Sequence, residues 1–237
     1  MNKKIVITGG TKGIGLAIAR KFTMGGFDVA VCARNENDLL ALDSALAALR
    51  RHESQKILMA KCDISKKDEL KAFSDDVLRE FGRVDMLVNN GGVFLPGQIH
   101  KEEDGLLEKL IETNLYSAYN LSRWLIPGMI KHNTGHIFNM CSVASLTAYP
   151  NGGSYSVSKF AMLGLSKALR EELKDFNIKV TALLPGATLT DSWKGTDLPI
   201  SRFMKAEDVA DIVWDIYNLS ANTVVEEIVL RPLLGDI

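Results

Sequence analysis

The sequence predicts an α/β fold of the doubly wound Rossmann type, a seven-stranded, mostly parallel sheet with helices on both faces. Two observations carry that prediction. Apolar runs of strand length recur seven times along the chain, separated by longer segments with helical spacing. Most of these runs are continuous rather than alternating, as expected of strands covered on both faces. Strand and helix in alternation, joined by short connections, imply a parallel sheet wound in both directions.

The runs, in order, are KKIVITG (3–9), DVAVCA (28–33), KILMAKCD (56–63), VDMLVNN (84–90), GHIFNMCS (135–142), IKVTALLPG (178–186) and VEEIVL (225–230). Between them, Leu39, Leu42, Leu46 and Leu49 form one helical stripe, and Leu165, Leu169 and Leu173 another. No Pro/Ser-rich linker, repeat or low-complexity tract interrupts the series. Residues 1–237 are therefore expected to form one domain, with cofactor-binding motifs mainly in 1–92 and catalytic and substrate-binding elements mainly in 110–204.

Composition excludes several classes of partner. The 28 basic and 29 acidic residues leave a formal net charge of −1, which gives no reason to expect nucleic acid or a membrane surface. No apolar run approaches the roughly 20 residues that span a bilayer. The opening MNKKIVITGG has too short an apolar run for a signal peptide, so a first strand and a cytoplasmic protein are expected. Cys32, Cys62 and Cys141 lack paired spacing and read as small buried hydrophobes. His132 and His136 stand at i,i+4, but Asn-Thr-Gly lies between them, and no metal site is expected.

In such a sheet, ligands sit outside the carboxyl ends of the strands. The first strand runs into TGGTKGIG, where Gly9, Gly13 and Gly15 permit a tight turn and let backbone approach a pyrophosphate at a helix N-terminus. The second strand ends at Ala33-Arg34 rather than at an acid. A guanidinium pairs in bidentate fashion with the 2′-phosphate of NADP, which an aspartate would repel. Lys12 offers a second positive charge nearby; alternatively, Arg34 caps the next helix or is simply solvated. Asp63 ends strand three, as an acceptor for adenine or as an N-cap residue. Asn89-Asn90-Gly91-Gly92 ends strand four, where small residues let the chain pass close to a ribose.

The stretch SYSVSKF (154–160) sets Tyr155 and Lys159 on one face of a helix. A phenol with a pKa near 10 exchanges protons poorly at neutral pH. An adjacent ammonium favours the phenolate, and an oxidised nicotinamide favours it further. Ser142 lies at the end of the fifth run, where its hydroxyl can hold a carbonyl oxygen.

With TGGTKGIG, NNGG, TNLYS, NMCS, YSVSK and PGATLT in this order and spacing, the sequence resembles the short-chain dehydrogenase/reductase family over essentially its whole length. The resemblance implies a catalytic tetrad of Asn114, Ser142, Tyr155 and Lys159. In it, Tyr155 is the general acid or base, Ser142 polarises the carbonyl, Lys159 lowers the tyrosine pKa and binds the nicotinamide ribose, and Asn114 holds a water that relays protons. It also implies NADP(H) contacts at Gly9, Thr11, Lys12, Gly13, Ile14, Gly15, Arg34, Asp63, Asn90, Tyr155, Lys159, Pro185, Gly186, Thr188 and Thr190.

The tail TVVEEIVLRPLLGDI lacks the glycine-rich last strand of bacterial 3-oxoacyl-(acyl-carrier-protein) reductases and is more similar to bacterial sepiapterin-reductase-like members. The expectation is an NADPH-dependent oxidoreductase that reduces a carbonyl of a small substrate to an alcohol. A pteridine side-chain ketone or a 3-oxoacyl thioester would be that substrate; a catalytically idle NADP-binding sensor or scaffold is the alternative of another class. Residues 187–204 are expected to form a substrate lid with Trp193, Phe203 and Met204 as apolar contacts. The family resemblance implies a homodimer or homotetramer built on helices around 107–132 and 155–175.

Overall fold

A computed structural model describes residues 2–237. The seven strands are β1 (Lys4–Thr8), β2 (Asp28–Ala33), β3 (Ile57–Lys61), β4 (Met86–Asn89), β5 (Gly135–Met140), β6 (Ile178–Pro185) and β7 (Glu227–Leu230). They form one sheet in the order β3-β2-β1-β4-β5-β6-β7, and every pairing is parallel. The order reverses between β1 and β4, and the crevice that opens there is where doubly wound sheets bind ligands.

The helices are α1 (Gly13–Met24), α2 (Glu36–Ala48), α3 (Lys67–Phe81), α4 (Leu106–Ile111), α5 (Ser117–His132), α6 (Gly153–Leu173) and α7 (Ala206–Tyr217). Side chains alternate along each strand, so the continuous apolar runs feed two separate cores. On one face, Ile5 and Ile7 pack with Ile18 and Phe22 of α1, Leu39, Leu42 and Leu46 of α2 and Val209 and Val213 of α7. On the other, Val6 and Leu87 meet Leu70, Phe73 and Val77 of α3, Leu121 of α5 and Leu169 of α6. Each such fully buried side chain contributes about 1.5–3 kcal/mol. Truncating Leu70, at 0% exposure, to Ala would cost about 2–5 kcal/mol and loosen α3 first.

The structure moves some expected boundaries. Leu49 is the C-cap of α2, one residue past the helix, and still packs against the core that Leu39, Leu42 and Leu46 enter. Strand β5 stops at Met140, because Ser142 turns the chain: its Oγ accepts from the Ala144 N–H at 3.1 Å, and its own N–H donates to Ser145 Oγ at 3.1 Å. Helix α5 ends where Asn133 takes a left-handed conformation (φ 50°), so His132 and His136 part company. His136 lies buried in β5, 2.8 Å from Thr181 Oγ1 and stacked on Phe138. Burial pushes its imidazole down to about 3 and keeps it neutral. All three cysteines are free and buried. Among the described residues, no helix is long and apolar enough to cross a membrane, and no three metal-ligating side chains cluster.

Candidate active site

A cavity of about 1330 Å³ lies along the carboxyl ends of the strands and spans the switch point between β1 and β4. Pockets for a single small ligand run to roughly 300–1,000 Å³, so this one has room for a dinucleotide and a substrate together. Gly9, Thr11, Lys12, Gly13, Ile14, Arg34, Asp63 and Asn90 line one end; Ser142, Tyr155 and Lys159 line the other; Pro185, Gly186, Thr188 and Thr190 lie along the wall. Gly15 and Asn114 do not line it; they support the residues that do.

The turn after β1 is built for close backbone approach. Gly9 sits at φ +67°, and a Cβ there would come within 2.9 Å of the Gly91 Cα. Asn90 braces the same turn, its Nδ2 donating to Thr8 O at 2.9 Å and to Gly9 O at 3.1 Å. A Cβ on Gly15 would meet that Nδ2 at 2.5 Å, so the third glycine makes room for the brace rather than for a ligand. The N-terminus of α1 opens at Lys12, whose side chain makes no cap, leaving the first amides without a side-chain partner.

At the far side of this end, Arg34 has no carboxylate within 4.0 Å among the described residues. It does not cap α2; Asn35 does, accepting from the Asp38 N–H at 3.1 Å. An exposed, unpaired guanidinium lining the cavity is free to meet a phosphate. Asp63 does not cap α3, which starts from Lys66. Its Oδ1 accepts from the Ser65 N–H at 3.0 Å and from Ser65 Oγ at 2.8 Å. Burial works against its charge, but the Ser65 hydrogen bonds and the nearby Arg34 prevail and hold the carboxyl below its usual range.

At the chemical end, α6 carries Tyr155 and Lys159 on one face. Lys159 is only 7% exposed, and its ammonium donates to the Met140 carbonyl at 2.7 Å. It stands 5.8 Å from the centre of the Tyr155 ring. Burial lowers the lysine pKa. Burial also raises the Tyr155 phenol, against an opposing pull from Ser142. The sequence leads one to expect Lys159 to lower that pKa; here desolvation dominates both groups, and the ammonium is pinned to β5. Asn114 lies in a widened π turn (Glu112–Tyr116) between α4 and α5, a distortion often found at functional sites. Its Oδ1 accepts from the Val93 N–H at 2.8 Å, and its Nδ2 donates to Val93 O and to Ser158 Oγ, each at 3.0 Å. Both amide protons are thereby committed.

Several cavity residues carried no sequence signal. Phe94 meets the Tyr155 ring edge-on at 4.8 Å, and Tyr149 lines the same end. Arg231 and Asp236, ion-paired with each other, bring the C-terminal segment to the wall beside Gly186. Of the expected lid contacts, Trp193 lines the cavity, whereas Phe203 turns inward, 9% exposed, to pack on Trp193 at 5.0 Å. Met204 does not line it either; its backbone bridges Thr188.

A family model described as short chain dehydrogenase matches residues 3–198. The chain belongs to the short-chain dehydrogenase family. It is 34% identical to the sepiapterin reductase of Chlorobaculum tepidum, over 100% of this chain and 99% of that one. It is 33% identical to the 3-oxoacyl-(acyl-carrier-protein) reductase of Chlamydia muridarum, over 89% of this chain and 88% of that one. Among solved structures, an alcohol dehydrogenase from the archaeon Thermococcus sibiricus, complexed with 5-hydroxy-NADP, superposes with a TM-score of 0.90 at 26% identity, covering 100% of this chain and 99% of that one. The chain is thus an oxidoreductase of this family, with a Rossmann-like fold.

Proposed function

We propose that this protein reduces a ketone on a small substrate to an alcohol with NADPH. The convergence of Ser142, Tyr155 and Lys159 on one end of a cavity whose other end carries an unpaired Arg34 carries this reading. When bound, the nicotinamide supplies the hydride. Tyr155 supplies the proton: burial keeps its phenol protonated at neutral pH, the form a reduction needs. Ser142 holds the carbonyl oxygen. Its Oγ is fixed by the Ala144 N–H, which leaves the hydroxyl proton for another acceptor.

Lys159 spends one N–H on Met140 O and keeps two for the ribose hydroxyls and the phenol. Asn114, its amide protons already committed, would hold a relay water through its main-chain carbonyl. Gly9, Thr11, Lys12, Gly13, Ile14, Asn90, Pro185, Gly186, Thr188 and Thr190 take the pyrophosphate and nicotinamide, with Gly15 leaving room for Asn90 behind them, and Asp63 takes the adenine. The neighbour of the same fold complexed with 5-hydroxy-NADP supports this cofactor.

A pteridine side-chain ketone fits better than a 3-oxoacyl thioester. Phe94, Tyr149 and Trp193 give the substrate end aromatic walls suited to a planar ring, with Arg231 and Asp236 as polar partners. The sepiapterin reductase relative also matches this chain from end to end. A cytoplasmic homodimer or homotetramer completes the reading, supported by the exposed Leu107, Tyr119, Val157 and Phe160 on α4, α5 and α6. A carbonyl panel including sepiapterin and an acetoacetyl thioester, followed by NADPH oxidation, tests the proposal. Turnover with sepiapterin is expected. Silence across the panel, with NADPH still bound, would point to a sensor instead.

A further inference from the structure

We propose that Asp38 is a specificity-determining residue that restrains the preference for a 2′-phosphate by competing with it for Lys12. This rests on the cofactor reading above. Asp38 stands in the first turn of α2, where the helix N-terminus favours a carboxylate, and it faces the cavity beside Arg34. Its Oδ2 lies 2.9 Å from Lys12 Nζ. Asp191, on the expected lid, is a more distant partner of Lys12 at 3.7 Å and lies closer to Lys194, at 2.8 Å.

The two cations at this end therefore differ. Arg34 has no carboxylate to leave, whereas Lys12 already donates to one. A phosphate recruiting Lys12 must share it with Asp38, and it also feels the Asp38 charge well within a Debye length of about 10 Å. Glu36, the other acid in that turn, does not line the cavity and pairs with Lys61 at 3.8 Å. The side chain of Asp38 is 31% exposed, so its effect should be moderate and dependent on salt. A cofactor lacking the phosphate offers Lys12 no competing anion at that position.

The test uses the intact protein and its Asp38→Asn variant, which keeps size and the backbone cap. Dissociation constants for NADPH and NADH are measured at low and high salt. NADPH should bind about three- to tenfold more tightly to the variant, NADH about equally, and the gain should shrink in high salt. A merely structural role for Asp38 would move both cofactors together and lower the unfolding midpoint; either that result or unchanged NADPH affinity overturns the inference. A parent that prefers NADPH while Asp38→Asn leaves the ratio unchanged sinks this inference alone. A parent with no preference, in which Arg34→Ala also has no effect, sinks the cofactor reading and this inference with it.

Discussion

Lys12 and Lys159 both face the long cavity, Lys12 from the glycine-rich turn and Lys159 from α6. Lys12 is 54% exposed and shared by two carboxylates, with Asp38 raising its pKa. Lys159 is nearly enclosed, has only a backbone carbonyl as partner, and is pulled down by burial. The first site is set by solvent-exposed charges that single substitutions can retune. The second is set by packing and main chain, so changes there act on chemistry. Binding selectivity and catalysis are thus governed by different physics within one crevice.

Four measurements probe that contrast, beginning at the enclosed end. Tyr155→Phe keeps the ring that packs on Phe94 but removes the proton, so turnover should fall about 10²- to 10⁴-fold while NADPH still binds. A variant retaining more than a tenth of the rate would assign the proton to another group.

Lys159→Met should come next. Without the ammonium the phenolate is less favoured, so the ionisation controlling alcohol oxidation should move to higher pH, each unit costing about tenfold in rate at fixed pH. Lys159→Arg should rescue only in part, because a planar guanidinium does not fit the site of a compact ammonium. A pH–rate profile identical in parent and Lys159→Met would make the Tyr155 and Lys159 pairing a coincidence of packing.

At the open end, Arg34→Ala should weaken NADPH binding about ten- to a hundredfold, the value of one charge-assisted contact, and leave NADH nearly unchanged. Equal affinities of the parent for both cofactors would contradict the reading of Ala33-Arg34. The smallest effect belongs to Lys12→Ala read by thermal unfolding. Its ion pairs are solvent-exposed, and the midpoint should not move measurably. A clear drop would show that Lys12 braces the fold and does not merely serve the ligand.

The strands and their ends were legible because periodicity and burial act locally. Continuous apolar runs such as Ile5–Ile7 can only be covered on two sides, and Leu39, Leu42 and Leu46 could only face a core. Tyr155 and Lys159 were legible for the same reason, since four residues on a helix fix their shared face. What the sequence concealed depends on long-range placement. Nothing near Lys12 in the chain announces Asp38 or Asp191 as partners, because α2 and the 187–204 segment reach it only through tertiary packing. Arg231 and Asp236 come to the cavity through the pairing of β7 with β6, where Gly186 N–H donates to Leu230 O at 2.7 Å. The dominance of burial over the Tyr155 pKa likewise needs knowledge of what surrounds it.

The brace that Asn90 makes across the switch point has a consequence for how ligand enters. Because its amide already ties β4 to Thr8 O and Gly9 O, the turn holds its shape before any cofactor arrives. Little conformational freedom remains there to be lost, so association should not wait on a folding step at the glycines. At the opposite wall, Asp191 is held only by exposed ion pairs, which are screened and exchange readily with water. Amide exchange recorded with and without NADPH should therefore change least at Gly9 and most in residues 190–198.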